Sequence, residues 1–298
     1  MFALRRRAVY RQTSGIPGPV ELLREAIAEV ASRQRLIRYL VVAEMKKRGS
    51  DTLLGNLWWI LDPLLQMVVY VVFVSILLST RALPDFPLFI FAAILPYKWF
   101  SSVVTDATLS VVKDAALIRQ IAFPKIILPI ASATGGVVGF AWGLIPLTVV
   151  TLLYGRLTPF ILWVPVIAVV QYAFSVAAAI FVAAANVFFR DLGNVASHVL
   201  RLWWFLSPSL YSLQQLDGLH FVRDHPIVGT LARLNPFAIL FEAYRSVIYG
   251  SSVAPDYLPP SGGPDLVSLA GLLVASIVLI GLMTIFFKRL EPEFAKVL

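Results

Sequence analysis

Six long apolar stretches, at about 56–79, 87–112, 126–153, 159–186, 195–213 and 266–287, constrain this chain more than any other feature. Each approaches the roughly 20 apolar residues that a helix needs to cross hydrocarbon. Of the 298 residues 59% are hydrophobic and only 14% charged, above the about 45–50% apolar share of soluble domains. In lipid every backbone N–H and C=O must be satisfied within the protein, so stretches of this length are read as helices. The expectation is an all-α integral membrane protein with six transmembrane helices.

An even number of spans puts both termini on one side. Eleven basic residues lie in 1–56, and seven more at Lys113, Arg119, Lys125, Arg190, Lys288, Arg289 and Lys296 share that side. The other side holds Arg81, Arg156, Arg223, Arg233 and Arg245. Basic loops stay in the cytoplasm, so this asymmetry predicts a multi-pass protein with both termini cytoplasmic. The net charge of +8 is therefore read as topogenic; no basic stretch carries the interleaved aromatics of a nucleic-acid binder, and no nucleic-acid partner is expected. The chain has no cysteine, which removes disulfides, thiol nucleophiles and cysteine metal sites. Arg5-Arg6-Arg7 is not followed by an apolar core and cleavage site, so the first span is expected to direct insertion.

Three polar regions punctuate the spans. Over about 20–48, Leu36, Ile37, Leu40, Val41 and Met45 recur at helical spacing opposite Arg33, Arg38, Glu44, Lys46 and Lys47, which predicts an interfacial amphipathic helix. Gly49 to Thr52 then breaks it, with Ser50 or Asp51 placed to cap the next helix. Lys113 to Lys125 is a short basic segment set tightly between two spans, suited to being pushed from the cytoplasm. Outside, Asn235-Pro236 opens and Gly250 closes a helix of three to four turns, too short to cross and expected to be re-entrant or surface-lying against protein. The domain reading is thus 1–55 as a cytoplasmic N-terminal region, 56–287 as a six-span domain with a coupling loop at 113–125 and an outer gate region at 214–265, and 288–298 as a cytoplasmic tail.

The chain contains no Gly-Lys pair and so no phosphate-cradling loop; any ATP hydrolysis must come from a partner. It also lacks an Asp-x-Asp pair and a His-Glu-x-x-His motif, and the outer-loop set Asp217, His220, Asp224 and His225 reads as solvated, so no metal site is expected. Charges inside spans are more informative, because each needs a partner or a wet cavity. Lys98 and Asp106 lie eight residues apart on one face of the second span. Two readings stand: snorkelling or mutual pairing, and a cation facing a polyanionic lipid head group. Trp58, Trp59, Tyr97, Trp99, Phe100, Trp203, Trp204 and Tyr211 fit either interfacial belts or a channel in which sugar rings stack on aromatic faces.

Taken in order, Leu54-Gly55-Asn56-Leu57-Trp58-Trp59-Ile60-Leu61-Asp62-Pro63-Leu64, Leu95-Pro96-Tyr97-Lys98-Trp99-Phe100, Leu117-Ile118-Arg119 through Phe123-Pro124 to Ile127-Leu128-Pro129, Phe188-Phe189-Arg190-Asp191 and Asn235-Pro236 resemble the membrane subunit of type-2 ABC exporters. The resemblance is to the branch that exports O-antigens, teichoic acids and lipid-linked galactans, and extends over about residues 34 to 290. The chain departs from the family pattern in having Gly49 where an aromatic commonly follows the basic group, and in its extension over 1–33.

The resemblance implies a homodimer in a bacterial inner membrane, joined to two copies of a cytoplasmic ATPase that would carry ATP and Mg; this chain would bind no cofactor and catalyse nothing. Docking onto the ATPase would fall to Glu44, Lys46, Lys47 and Arg48, and to a coupling helix with Asp114, Leu117, Ile118 and Arg119. The outer helix would act as a gate, with Phe237, Phe241 and Tyr244 facing sugar or lipid and Glu242 paired with Arg245. The implied activity is ATP-driven export of a polyprenyl-diphosphate-linked polysaccharide. Export of drugs or small lipids, and a glycosyltransferase-type membrane enzyme, are the alternatives.

Overall fold

The computed structural model describes residues 18–50, 54–77, 83–113, 123–250 and 263–297. Every regular element among them is helical: α1 Pro19–Ser32, α2 Gln34–Ser50, α3 Trp58–Leu77, α4 Phe86–Lys113, α5 Ile127–Leu153, α6 Val164–Phe188, α7 Leu192–Leu206, α8 Leu213–Asp217, α9 His220–Asp224, α10 Pro226–Leu234, α11 Pro236–Ile248 and α12 Leu266–Val297. Short 3₁₀ turns, Gly55–Leu57 and Pro159–Trp163, lead into α3 and α6.

Helix α4 is the hub, packed by α3, α5, α6, α7 and α11. From Leu88 to Tyr97 every residue is buried. Pro96 interrupts its backbone ladder, and the Pro96 carbonyl accepts a 2.7 Å hydrogen bond from the buried Gln171 side chain of α6. A helix can keep such a proline inside an apolar bundle when a neighbour satisfies the backbone groups it frees. Helix α5 approaches α4 closely at Gly136, where a Cβ would collide with Val103 and Trp99, and at Gly143, where it would collide with Leu95. Helix α12 lies against α6 at the periphery, and its Leu266, Val267, Val274 and Ile277 remain exposed.

Four helical segments are long and apolar enough to cross a membrane: Phe86–Lys113, Ile127–Leu153, Pro159–Phe188 and Leu266–Phe294. The expected first and fifth spans are shorter. The apolar part of α3 is Trp58–Val74. Helix α7 stops at Leu206 rather than running on toward 213, because Ser207-Pro208-Ser209 turns the chain away; its 15 residues rise about 22 Å, short of a roughly 30 Å hydrocarbon core.

The predicted amphipathic segment is two helices, broken at Arg33, where the Ser32 hydroxyl takes the Glu29 carbonyl that would continue the ladder. Ser50 closes α2 and does not cap α3; Asp51 lies outside the described residues.

Candidate functional site

Lys98, Ser102, Asp106, Ser110 and Lys113 stand three or four residues apart, so α4, otherwise apolar, carries one polar stripe along its length. The stripe forms one wall of a groove of about 350 Å³ between α2, α3, α4 and α5. Trp58, Trp59 and Asp62 enter it from α3, Glu44 from α2, and Ser132, Gly135 and Gly139 from α5. Nothing lies within 4 Å of a Cβ built at Gly135 or Gly139, so these two glycines leave room where Gly136 and Gly143 create contact.

The charges in the groove are paired across helices. Lys98 Nζ forms an ion pair with Asp62. Ser102 donates to Asp106 at 3.1 Å. Near the cytoplasmic end Lys113 Nζ approaches Glu44 at 3.5 Å. The pairing of Lys98 with Asp106 expected from their spacing therefore gives way to Asp62, which α3 brings closer. Glu44 turns inward to the groove instead of outward for docking, whereas Lys46 is exposed. The side chains of Lys47 and Arg48, and all of Asp114, Leu117, Ile118 and Arg119, lie outside the described residues.

Adjacent aromatics on α4 point in opposite directions. Trp99 turns to α5 and stacks on Phe140 at 4.6 Å, at the wall of the groove. Tyr97 and Phe100 turn the other way into a cluster centred on Phe237 of α11, with ring centroids at 4.8 and 4.9 Å from it. Trp203 of α7 joins at 5.1 Å from Phe237, and Trp204 packs 5.0 Å from Tyr97. The Tyr97 hydroxyl donates to the Leu200 carbonyl.

Phe237, Phe241 and Tyr244 are essentially fully buried, so the expectation that they face sugar or lipid does not describe this packing. Of the residues expected along a channel, Trp58, Trp59, Lys98 and Trp99 line the groove; Tyr97, Phe100, Trp203 and Trp204 form the core beside it; Tyr211 is half-buried near Arg245.

Helix α11 begins and ends as its sequence predicts. Asn235 accepts from the Phe237 N–H at 3.0 Å, and its side chain also ties Trp203 Nε1 at 3.1 Å and Ser207 at 2.9 Å. Gly250 follows with φ +69°, a left-handed conformation that glycine adopts without strain. Arg245 is completely buried and donates to the carbonyls of Pro208 and Ser209 at 2.6 Å, with Glu242 4.0 Å away. The helix is thus pinned by carbonyls of the turn after α7 more than by the expected ion pair.

The family follows from the whole sequence. The profile described as ABC-2 type transporter matches residues 35–249. The chain belongs to this family. Among its relatives, the O-antigen export system permease protein RfbA of Myxococcus xanthus is 30% identical over 271 residues, covering 91% of this chain and 98% of the relative. A protein of the same description from Klebsiella pneumoniae is 25% identical over 258 residues, 86% of this chain and 92% of the relative. As an ABC-2 permease the chain is a membrane transport subunit, and its relatives are transport subunits rather than enzymes.

Two charges within the expected spans escaped the sequence reading. Asp62 appeared only inside a longer motif, and Arg201 of α7 was not singled out at all. The rule that picked out Lys98, one ionisable residue in an apolar run, applies equally to both.

Proposed function

We propose that this ABC-2 permease exports a lipid-linked polysaccharide from the cytoplasmic side of a bacterial inner membrane. Two copies of the chain would flank the path, with α3 and α7 completing six spans each and both termini in the cytoplasm. Two copies of a cytoplasmic ATPase, holding ATP and Mg, would press on α2 and on the segment around 114–122. Closing of the ATPase pair would move these as levers and shift the membrane halves between two arrangements. The similarity to O-antigen permeases over nearly their full length supports the substrate class.

The observation that carries the reading is the groove itself. A charged and hydroxyl-bearing wall near the middle of a long apolar helix is costly unless it meets water or a polar solute. Trp58, Trp59 and Trp99 add flat faces on which sugar rings can stack weakly, and weak repeated binding lets a long chain keep moving.

Depletion of this chain in its host, with polyprenyl-linked glycan quantified on each side of the inner membrane, tests the proposal. Full-length glycan accumulating on the cytoplasmic face is the expected result. Shortened or absent glycan would point to an enzyme of assembly, and unchanged glycan with raised drug sensitivity would point to a drug exporter.

A further inference from the structure

Helix α7 has two unlike exposed faces. Trp204 turns toward Tyr70 of α3 and Tyr97 of α4, while Trp203 turns toward Phe174 of α6. At 3.6 residues per turn, Ser197, Arg201 and Asn194 fall on the α3 side of the helix, with His198 behind them. Val195, Val199, Leu202 and Leu206 fall on the α6 side, and all four are exposed. The apolar half suits lipid; the polar half does not.

The depth of Arg201 follows from the hydrogen bond beside it. Tyr97 and Lys98 lie near the middle of α4, and the Tyr97 hydroxyl meets the carbonyl of Leu200. Arg201 therefore sits near the middle of a helix that crosses the membrane, about 15 Å from either edge of the hydrocarbon core, too far for its side chain to snorkel out. It is exposed, and it makes no hydrogen bond or ion pair with any described residue. An arginine at this depth needs water and a counter-charge.

The surrounding surface is consistent with a wet wall. Between α3 and α7 the floor is α4, whose Thr105 is exposed and Ser101 partly so, and Lys98 with Asp62 borders it. A second copy of the chain brings no obvious free carboxylate at this level. Asp62 is engaged by Lys98 and Asp106 by Ser102. Asp191 stands ten residues away on α7, about 15 Å toward its other end. The counter-charge is then best supplied by what passes.

We propose that Arg201 is an anion-binding residue of the path, whose guanidinium takes a phosphate of the substrate at mid-depth through its planar pair of N–H donors. This rests on the reading that the substrate is a lipid-linked glycan carried on a diphosphate. Lys98, held by Asp62, is the nearby cation to which the phosphate can pass next.

The test uses the assembled transporter, permease with its ATPase, in lipid nanodiscs, and measures equilibrium binding of undecaprenyl diphosphate against undecaprenol, the same chain without phosphate. Arg201→Met is expected to weaken diphosphate binding about tenfold or more, the loss of a charge-assisted hydrogen bond, and to leave undecaprenol binding unchanged. Arg201→Lys is expected to fall between, and carries the comparison should the methionine variant not assemble. Equal diphosphate affinity in wild type and Arg201→Met overturns the assignment. So does a methionine variant that falls apart into single copies, which would make Arg201 a subunit contact. A wild-type transporter that does not prefer the diphosphate over undecaprenol overturns the substrate reading itself, whatever Arg201 does.

Discussion

A guanidinium with no exposed surface, such as that of Arg245, is tolerated inside an apolar cluster only because its donors are used and its flat face is covered. Here they reach the carbonyls of Phe89, Pro208, Ser209 and Tyr211, and the guanidinium carbon lies 3.6 Å from the Phe89 ring centroid. Arg245→Ala leaves the Pro208 and Ser209 carbonyls without this donor, at about 1–3 kcal/mol each, and is expected to lower the melting temperature of the detergent-purified protein sharply. Arg245→Lys, with donors but no fork, recovers only part of it. The Lys98–Asp62 pair behaves differently, because both members face the groove. Removing either partner leaves an uncompensated charge, so Lys98→Met and Asp62→Asn each destabilise; the double variant is expected to regain stability but not transport, read by melting curves beside an export assay. A double variant as unstable as the singles would show that the pair is not coupled. Lys98 was legible in the sequence because a lone charge in an apolar run must be answered. Its partner was not, because Asp106 has equally good spacing and only the placement of α3 decides between them. Arg245 read as one half of an i,i+3 ion pair; that its donors go to carbonyls more than 30 residues away along the chain is a tertiary fact with no local trace.

At the scale of elements, α5 separates packing from passage by the glycines it presents. Gly143 faces Leu95 so closely that Gly143→Ala forces an overpacked contact, expected to cost about 1–3 kcal/mol. Gly139 has open space and lines the groove. Gly139→Phe is therefore expected to leave the melting temperature near that of the wild type while cutting export strongly, by filling the room a sugar chain would use. Unimpaired export by a well-folded Gly139→Phe variant would remove the groove from the path. The boundaries of α11 were readable because asparagine, proline and glycine act locally, through a side-chain cap, a fixed φ and a left-handed residue. Its burial was not readable, since Phe237, Phe241, Tyr244 and Ile248 on one face satisfy a lipid surface, a channel and a protein core alike. The fifth span failed for a related reason: hydropathy runs on past Leu206, but Pro208 cannot continue the ladder and Asn235 captures Ser207 from the far side of the outer segment.

Across the whole molecule, the two ends of the chain meet where α5 begins. Lys288 of α12, nearly buried, is surrounded by Glu25 and Glu29 of α1 at 3.3 and 2.6 Å and by its own neighbour Glu291 at 3.1 Å. Glu291 in turn accepts the Lys125 backbone N–H at 2.8 Å, and its carbonyl accepts Lys125 Nζ at 3.1 Å. The residues just after the 114–122 segment are thereby fastened to the C-terminal helix and, through it, to α1. Both α1 and α12 lie outside the residues matched by the family profile, which is why a sequence reading centred on the family motifs left 1–33 without a role. The clamp is asymmetric in charge, three carboxylates around one ammonium, and burial pushes the Glu29 carboxyl up more than the attraction of Lys288 pulls it down. A raised value in the docked state means that docking favours the protonated form, so the Glu29 contribution is present at acid pH and lost as pH rises through its shifted value. Two variants follow from that sign. Glu29→Gln, neutral at every pH, is expected to hold α1 in place, whereas Lys288→Met strips the charge that three carboxylates share and is expected to release it, at about 3–5 kcal/mol for a broken buried pair. Limited proteolysis across residues 18–33 reads this directly: protection in wild type and Glu29→Gln, and rapid cleavage in Lys288→Met. Rapid cleavage in both would mean that the Glu29–Lys288 contact alone carries the docking, and protection in both that the apolar contacts of Leu22 and Ala26 suffice without the charges.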